Sequence, residues 1–194
     1  MAFVVSSAFA QGKGEVPDSL FDKAVEFIKR AEGWHRGQMP YIGYGHCLLP
    51  GETLTENLSK AQADSLLRSD LRKCCDAFRE FENDALLLGV LSYNVGIFRL
   101  KGHGRIPKSR LIRKLEKGER DIYEEYVSFR CYKGKVIPSI ERRRKAEFAL
   151  FYTLIIKKTV NDDGEIDVHG FFFCNFYSSS NQYIRLVIPI CALD

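Results

Sequence analysis

Glu32-Gly33-Trp34-His35, followed shortly by Tyr41-Ile42-Gly43-Tyr44-Gly45-His46, is the stretch on which the reading of this chain turns. Upstream, Leu20, Phe21, Ala24, Val25, Phe27, Ile28 and Ala31 recur at spacings of three and four, the pattern of a helix with one buried face. Ser19 with Asp22 three residues on predicts its capped start. Glu32 then falls at the C-terminal end of this helix, beside a glycine and the only tryptophan. A carboxyl group placed there meets apolar surface and the negative end of the helix dipole, two effects that favour the protonated form a general acid needs. Downstream, Tyr41 to His46 alternates in a β-prone manner, and its glycines allow a tight bend or close approach of backbone to a ligand. Helix end and hairpin would form the two walls of a cleft.

Working outward, Leu58-Ser-Lys-Ala-Gln-Ala-Asp-Ser-Leu-Leu-Arg-Ser-Asp-Leu, then Leu91-Ser-Tyr-Asn-Val-Gly, then Ser109-Arg-Leu-Ile-Arg-Lys-Leu-Glu-Lys-Gly and Glu141-Arg-Arg-Arg-Lys-Ala-Glu follow in that order. With the Glu-Gly pair and the Gly-x-Gly-His turn, this ordered set resembles the phage-type lysozymes, the endolysin family of muramidases that cut peptidoglycan. The resemblance runs from about Phe21 to Tyr152. Within that group the chain is most similar to lysozyme-like proteins of Bacteroides-type conjugative elements, which would make conjugal transfer machinery a partner alongside peptidoglycan.

The resemblance implies that Glu32 is the general acid protonating the glycosidic oxygen. It also implies a second carboxylate and a threonine between that Glu and the turn, and here the sequence departs: no Asp, Glu or Thr lies between Glu32 and His46, and Tyr41 stands where the threonine is expected. Glycoside hydrolysis ordinarily uses two carboxyl groups. Three explanations stay open: a carboxylate such as Glu52 or Glu56 folds over the site; a single acid/base acts as in lytic transglycosylases, giving an anhydro sugar; or the site binds glycan without cutting it. The resemblance further implies that His46 is held by Asp70 as a structural pair and that Asn94 lies on the cleft wall, where it would bond an acetamido sugar. Tyr41 and Tyr44 are candidate sugar contacts, with a core aromatic as the competing reading of Tyr44.

Helical patterns cover about 19–32, 59–81, 84–95, 108–117, 119–130 and 139–157, with Ala61, Leu66, Leu67, Leu71 and Cys74 as the core stripe of the long second helix, which would join two lobes. Gly96 is the expected C-terminal cap of the 84–95 helix. These elements predict an α+β, mainly helical, lysozyme-like fold with a short β-hairpin lobe and a helical lobe, spanning 17–152. Residues 1–10 read as the remnant of a signal peptide, ending Ala8-Phe9-Ala10, which predicts a periplasmic or secreted protein. Residues 153–194 form an atypical tail, expected as a loosely packed β-hairpin from the runs Phe171–Tyr177 and Tyr183–Ile190.

The formal charge is +4, and because the tail holds three basic against five acidic side chains, the body before it carries +6. A basic body suits an anionic partner. Arg99, Lys101, Arg105, Lys108, Arg110, Arg113, Lys114 and Lys117 cluster, but with no interleaved aromatics seen in the sequence a solvated face is preferred to nucleic-acid binding. No stretch is apolar enough to span a bilayer. The six cysteines, Cys47, Cys74, Cys75, Cys131, Cys174 and Cys191, show no metal spacing and no disulfide framework, and no cofactor or metal is expected.

Overall fold

The computed structural model describes residues 16–152 together with strands at 158–160, 166–168, 171–177 and 183–189. The signal remnant expected at 1–10 lies outside the described residues, as does the side-chain packing of the tail. Contacts divide the chain into two units between Gly89 and Val90.

The first unit opens with α1 (Asp18–Glu32), whose apolar stripe buries Phe21, Ala24, Val25 and Ile28. Leu20 and Phe27 are half-buried and Ala31 is exposed, so the stripe is narrower than its spacing suggested. The helix is preceded by Pro17, whose carbonyl accepts from the Leu20 and Phe21 N–H groups at 2.9 and 3.0 Å, and no side chain caps it, so the Ser19 start does not form. A three-stranded antiparallel sheet follows in the order β1 (His35–Gln38), β2 (Tyr41–Gly43), β3 (His46–Cys47). Its register sets His35 opposite Gly43 and Ile42 opposite His46.

Helix α2 (Lys60–Asp76) begins at a full capping box, in which the Ser59 hydroxyl accepts from the Gln62 N–H and the Gln62 side chain accepts from the Ser59 N–H. Its buried residues are Ala63, Leu67, Leu71 and Cys75. This corrects the expected stripe: Ala61 is exposed and Leu66 and Cys74 are only half-buried. The strict i, i+4 repeat puts Ala63, where small volume is needed, against the hairpin. A Cβ on Gly43 would stand 3.0 Å from the Ala63 Cβ, so the hairpin seats directly on α2. Ionic contacts lace α1 to α2, with Arg68 donating to Asp22 at 2.6 Å and Lys29 paired with Asp64. The guanidinium of Arg72 lies 4.6 Å from the centre of the Phe21 ring.

α2 is also shorter than its pattern. It stops at Asp76, and a 3-10 segment (Arg79–Asp84) with Glu82 at φ 46° turns the chain into α3 (Ala85–Val95). The division between units therefore falls within α3, not along α2. α3 is apolar almost all round, burying Leu86, Leu87, Leu88, Val90 and Leu91. Gly96, at φ 88°, closes it by donating to the Ser92 carbonyl at 2.7 Å.

The second unit continues with α4 (Ile97–Lys101), α5 (Arg110–Glu116), α6 (Tyr123–Val127) and α7 (Pro138–Phe151), with a two-stranded ribbon of β4 (Cys131–Tyr132) and β5 (Lys135–Val136) before α7. Its core gathers Leu100, Leu111, Ile112, Ile122, Tyr126 and Phe151. The helix expected over 119–130 contracts to α6, and that expected over 139–157 ends at Phe151. Beyond it, β6 (Lys158–Val160) pairs antiparallel with β7 (Ile166–Val168), and β8 (Phe171–Tyr177) with β9 (Tyr183–Pro189). The architecture is α+β and mostly helical, with small antiparallel sheets. Among the described residues no helix is long and apolar enough to cross a membrane.

Candidate active site

Glu32 is the last residue of α1, and Gly33 ends that helix at φ 70° by donating to the Lys29 carbonyl at 3.0 Å. The turn leads through Trp34 into β1 at His35 and leaves the Glu32 side chain half-buried. Across from it, Gly45 occupies φ 96° and donates to the Ile42 carbonyl at 3.1 Å. A Cβ at Gly45 would stand 3.7 Å from the Glu32 Cγ and 3.8 Å from its Oε2. The carboxyl group therefore lies flat against a stretch of backbone that carries no side chain.

Aromatic groups stand next to Glu32 and Gly45 in the chain. Trp34 and Tyr44 meet edge to face with centroids 5.2 Å apart, and the Lys29 ammonium lies 5.7 Å from the Tyr44 ring centre. Lys29 is itself held by Glu26 at 2.7 Å and by Asp64. Burial disfavours its charge, but the Asp64 and Glu26 carboxylates outweigh that and raise its pKa. The Lys29 bond in turn depresses the pKa of Asp64. Tyr41 is 47 % exposed, and its ring centre lies 6.3 Å from that of His35.

The turn is anchored by His46, buried with its Nδ1 2.5 Å from Asp70 Oδ2 and its Nε2 3.0 Å from Glu52 Oε2. Glu52 also accepts from the Leu49 N–H at 2.9 Å, and Lys73 donates to the other Asp70 oxygen at 3.1 Å. Only a doubly protonated imidazole donates from both nitrogens, so two carboxylate acceptors select the charged ring. Burial of the ring opposes this, yet the bonds to Asp70 and Glu52 prevail and the His46 pKa is raised. Glu52 moves the other way: the Leu49 N–H first, then His46, stabilise its carboxylate and lower its pKa.

Of the residues picked from sequence, the structure brings Glu32 and Tyr44 to one turn and joins His46 to Asp70. Glu52, raised as a replacement carboxylate, is engaged with His46 instead, and nothing in its spacing disclosed that bond. Glu56 is exposed. Asn94, in the second unit, is exposed, and its Oδ1 accepts from Arg144 Nη2, a contact fifty residues apart in the chain that sequence reading did not find. The Lys29–Asp64 pair beneath Tyr44 was likewise missed. Among the described residues no group of His, Cys, Asp and Glu is arranged to hold a metal ion.

A carboxyl-bearing helix end set against a glycine turn on a small sheet, followed by a helical unit, defines a lysozyme-like protein. The chain belongs to the phage lysozyme family, whose model matches residues 23–147. Among solved structures it is similar to the muramidase domain of SpmX from Asticaccaulis excentricus, with 26% identity and a TM-score of 0.54 over 68% of this chain and 96% of that one. It also shares the fold of the active form of the P1 phage endolysin Lyz, at 16% identity and a TM-score of 0.53, covering 72% of this chain and 95% of that one. No curated protein matches the chain.

Proposed function

We propose that this protein cleaves the glycan strands of peptidoglycan between N-acetylmuramic acid and N-acetylglucosamine, with Glu32 as general acid/base and Tyr41, Tyr44 and Asn94 as sugar contacts. The observation that carries the reading is the packing of Glu32, at the end of α1, against Gly45 of the Gly-x-Gly-His turn, because a glycine there lets the carboxyl group sit at the bend where a side chain would compete for the same space. Glu32 donates its proton to the glycosidic oxygen as the bond to the anomeric carbon breaks.

The engagement of Glu52 by His46 and the Leu49 N–H favours one carboxylate over two. In that case the muramic acid's own C6 hydroxyl attacks the anomeric carbon, its proton returns to Glu32, and an anhydro sugar leaves without consumption of water. With a water as nucleophile the product is a reducing sugar. Activity on cell wall places the protein's work outside the cytoplasm, and its resemblance to lysozyme-like proteins of conjugative elements extends the proposal to local opening of the wall during DNA transfer.

Glu32→Gln keeps the shape of the site and removes its proton. Incubated with purified sacculi, it should release no muropeptides, whereas the parent protein releases them, and mass spectrometry of those products distinguishes anhydro from reducing ends. Equal release by both proteins would rule out Glu32. The absence of Asp, Glu and Thr between Glu32 and His46 favours a second reading, a wall-binding protein without activity. It predicts co-sedimentation of the parent with sacculi and no release.

A further inference from the structure

The loop from Gly96 to Ile106 belongs to the second unit and has no part in the proposed chemistry. Phe98, on α4, is 56% exposed, and its ring lies tilted against His103 with centroids 4.5 Å apart and an interplanar angle of 31°. Ile106 is 44% exposed beside it, tied to His103 by reciprocal backbone bonds, His103 N–H to Ile106 O at 3.0 Å and Ile106 N–H to His103 O at 2.9 Å. The turn between them is rigidly built. Gly102, at φ 81°, sits where a Cβ would come within 2.7 Å of the Lys108 nitrogen and 2.9 Å of the Ile106 oxygen, so no other residue fits without moving the backbone. Interleaved with these apolar groups are the exposed Arg99 and Arg105. Phe98 stands immediately before the cluster of basic residues, within which no aromatic lies.

The rest of that cluster is partly neutralised. Lys108 is paired with Glu116 at 2.5 Å, and Lys114 with Glu125 at 2.9 Å and the Asp121 carbonyl at 2.6 Å. The cationic surface that remains at the loop is small and centred on large apolar side chains. Isolated exposed apolar residues need no explanation, but Phe98 leans on His103, which is bridged to Ile106, and with the exposed Arg99 and Arg105 next to them in the chain these form a patch. A ring and an aliphatic side chain presented together suit the boundary of headgroup and acyl chain, and guanidinium groups at the same level suit phosphates. A stacking surface for nucleobases needs open aromatic faces, and here one face of Phe98 is covered by His103.

We propose that the Phe98–His103–Ile106 loop docks the protein on an anionic phospholipid surface, holding it at the membrane that adjoins the wall. The loop is formed before it binds, so little ordering is needed on contact.

The test is sedimentation of the full chain, carrying Glu32→Gln to keep cleavage out of the measurement, with phosphatidylcholine vesicles with and without phosphatidylglycerol. Binding is expected only with phosphatidylglycerol, weakened by salt. It should fall about tenfold or more in Arg99→Glu/Arg105→Glu, and also fall in Phe98→Ala/Ile106→Ala, whose circular dichroism should match the parent's. Equal binding of the variants and parent, indifference to phosphatidylglycerol, or binding by this loop to an oligonucleotide and not to vesicles would each overturn the proposal. Because release of muropeptides is read separately, failure here leaves the assignment of Glu32 untouched, and the reverse holds.

Discussion

The Oε2 atom of Glu32 lies 3.8 Å from the point where a Cβ on Gly45 would stand. The contact links the end of a helix to the bend of a hairpin, and it makes the glycine a condition of the site as well as of the turn. At φ 96° any other residue is strained.

Gly45→Ala should therefore cost about 1 kcal/mol through the backbone alone. Gly45→Val adds methyl groups that must displace the carboxyl, and misplacement by about 1 Å costs on the order of a hundredfold in rate. The expected pattern, read from muropeptide release and urea unfolding, is a small loss for Ala and a large loss of activity for Val with its fold retained. Equal activity of the two variants would show that the carboxyl does not work from this position.

The His46 clamp has a pH signature. Its pKa is raised in the folded protein, so the stabilisation is complete below the unfolded histidine value of about 6.5 and is lost as pH rises from there through the higher folded value. Glu52, with its pKa lowered, contributes above the unfolded carboxylate value of about 4.3, and that contribution is lost as pH falls through the folded value. Stability of the first unit should peak in the mildly acidic range between the two. Asp70→Asn, which removes a bond to a charged group, should cost on the order of 2 kcal/mol near pH 6 and flatten the decline above it, as measured by urea unfolding against pH. A parent whose stability rises from pH 6 to 8 would contradict the charged clamp.

Much of this was legible in the sequence because it is local. The α1 stripe and Gly96 after α3 are set by neighbours a turn away, and the fold follows from their order. What escaped depends on distant partners. Glu52 looked like a spare carboxylate because its bond to His46 is a matter of loop geometry, and Asn94 looked free to face a ligand because Arg144 lies fifty residues on. The phase of α2 was misread by one or two positions since Ala61, Leu66 and Cys74 are as apolar as the residues that are buried. α4 was missed because five residues carry too little periodicity to register.

Gly89 shows another nonlocal constraint. A Cβ there would stand 2.5 Å from the Cys75 Sγ and 3.1 Å from the Cys75 nitrogen, so α3 crosses α2 at a glycine. The contact with backbone cannot relax by rotamer change. Gly89→Ala should destabilise by about 2 kcal/mol despite its better helix propensity, and Cys75→Ala in the same chain should restore only part of the loss. The Cys75 thiol, pushed up to about 12 chiefly by burial, should resist alkylation near neutral pH in the parent and react faster in Gly89→Ala. Unchanged stability and labelling would mean the crossing is looser than its geometry.

The second unit stakes its core on a buried ion pair. Arg144 and Glu147 are both fully buried, joined at 2.5 Å, and Glu147 also accepts from Arg143 at 2.8 Å and from the Tyr126 hydroxyl at 3.1 Å. Burial, then the Glu147 charge, holds the Tyr126 pKa well above its ordinary value, so the phenol stays a donor at any working pH. Desolvation of such a pair absorbs most of its attraction, and its worth shows only when one member is removed. Glu147→Leu should cost about 3–5 kcal/mol because it strands the Arg144 charge. Arg144→Met combined with Glu147→Leu should recover much of that, giving a coupling well above 1 kcal/mol in a double-mutant cycle read by urea unfolding. Asn94→Ala removes only the exposed acceptor at the far end of the guanidinium, and should cost about 1 kcal/mol. As a proposed sugar contact Asn94 should matter to activity as well, so muropeptide release per folded molecule should fall further than stability does; unchanged release would confine Asn94 to the network.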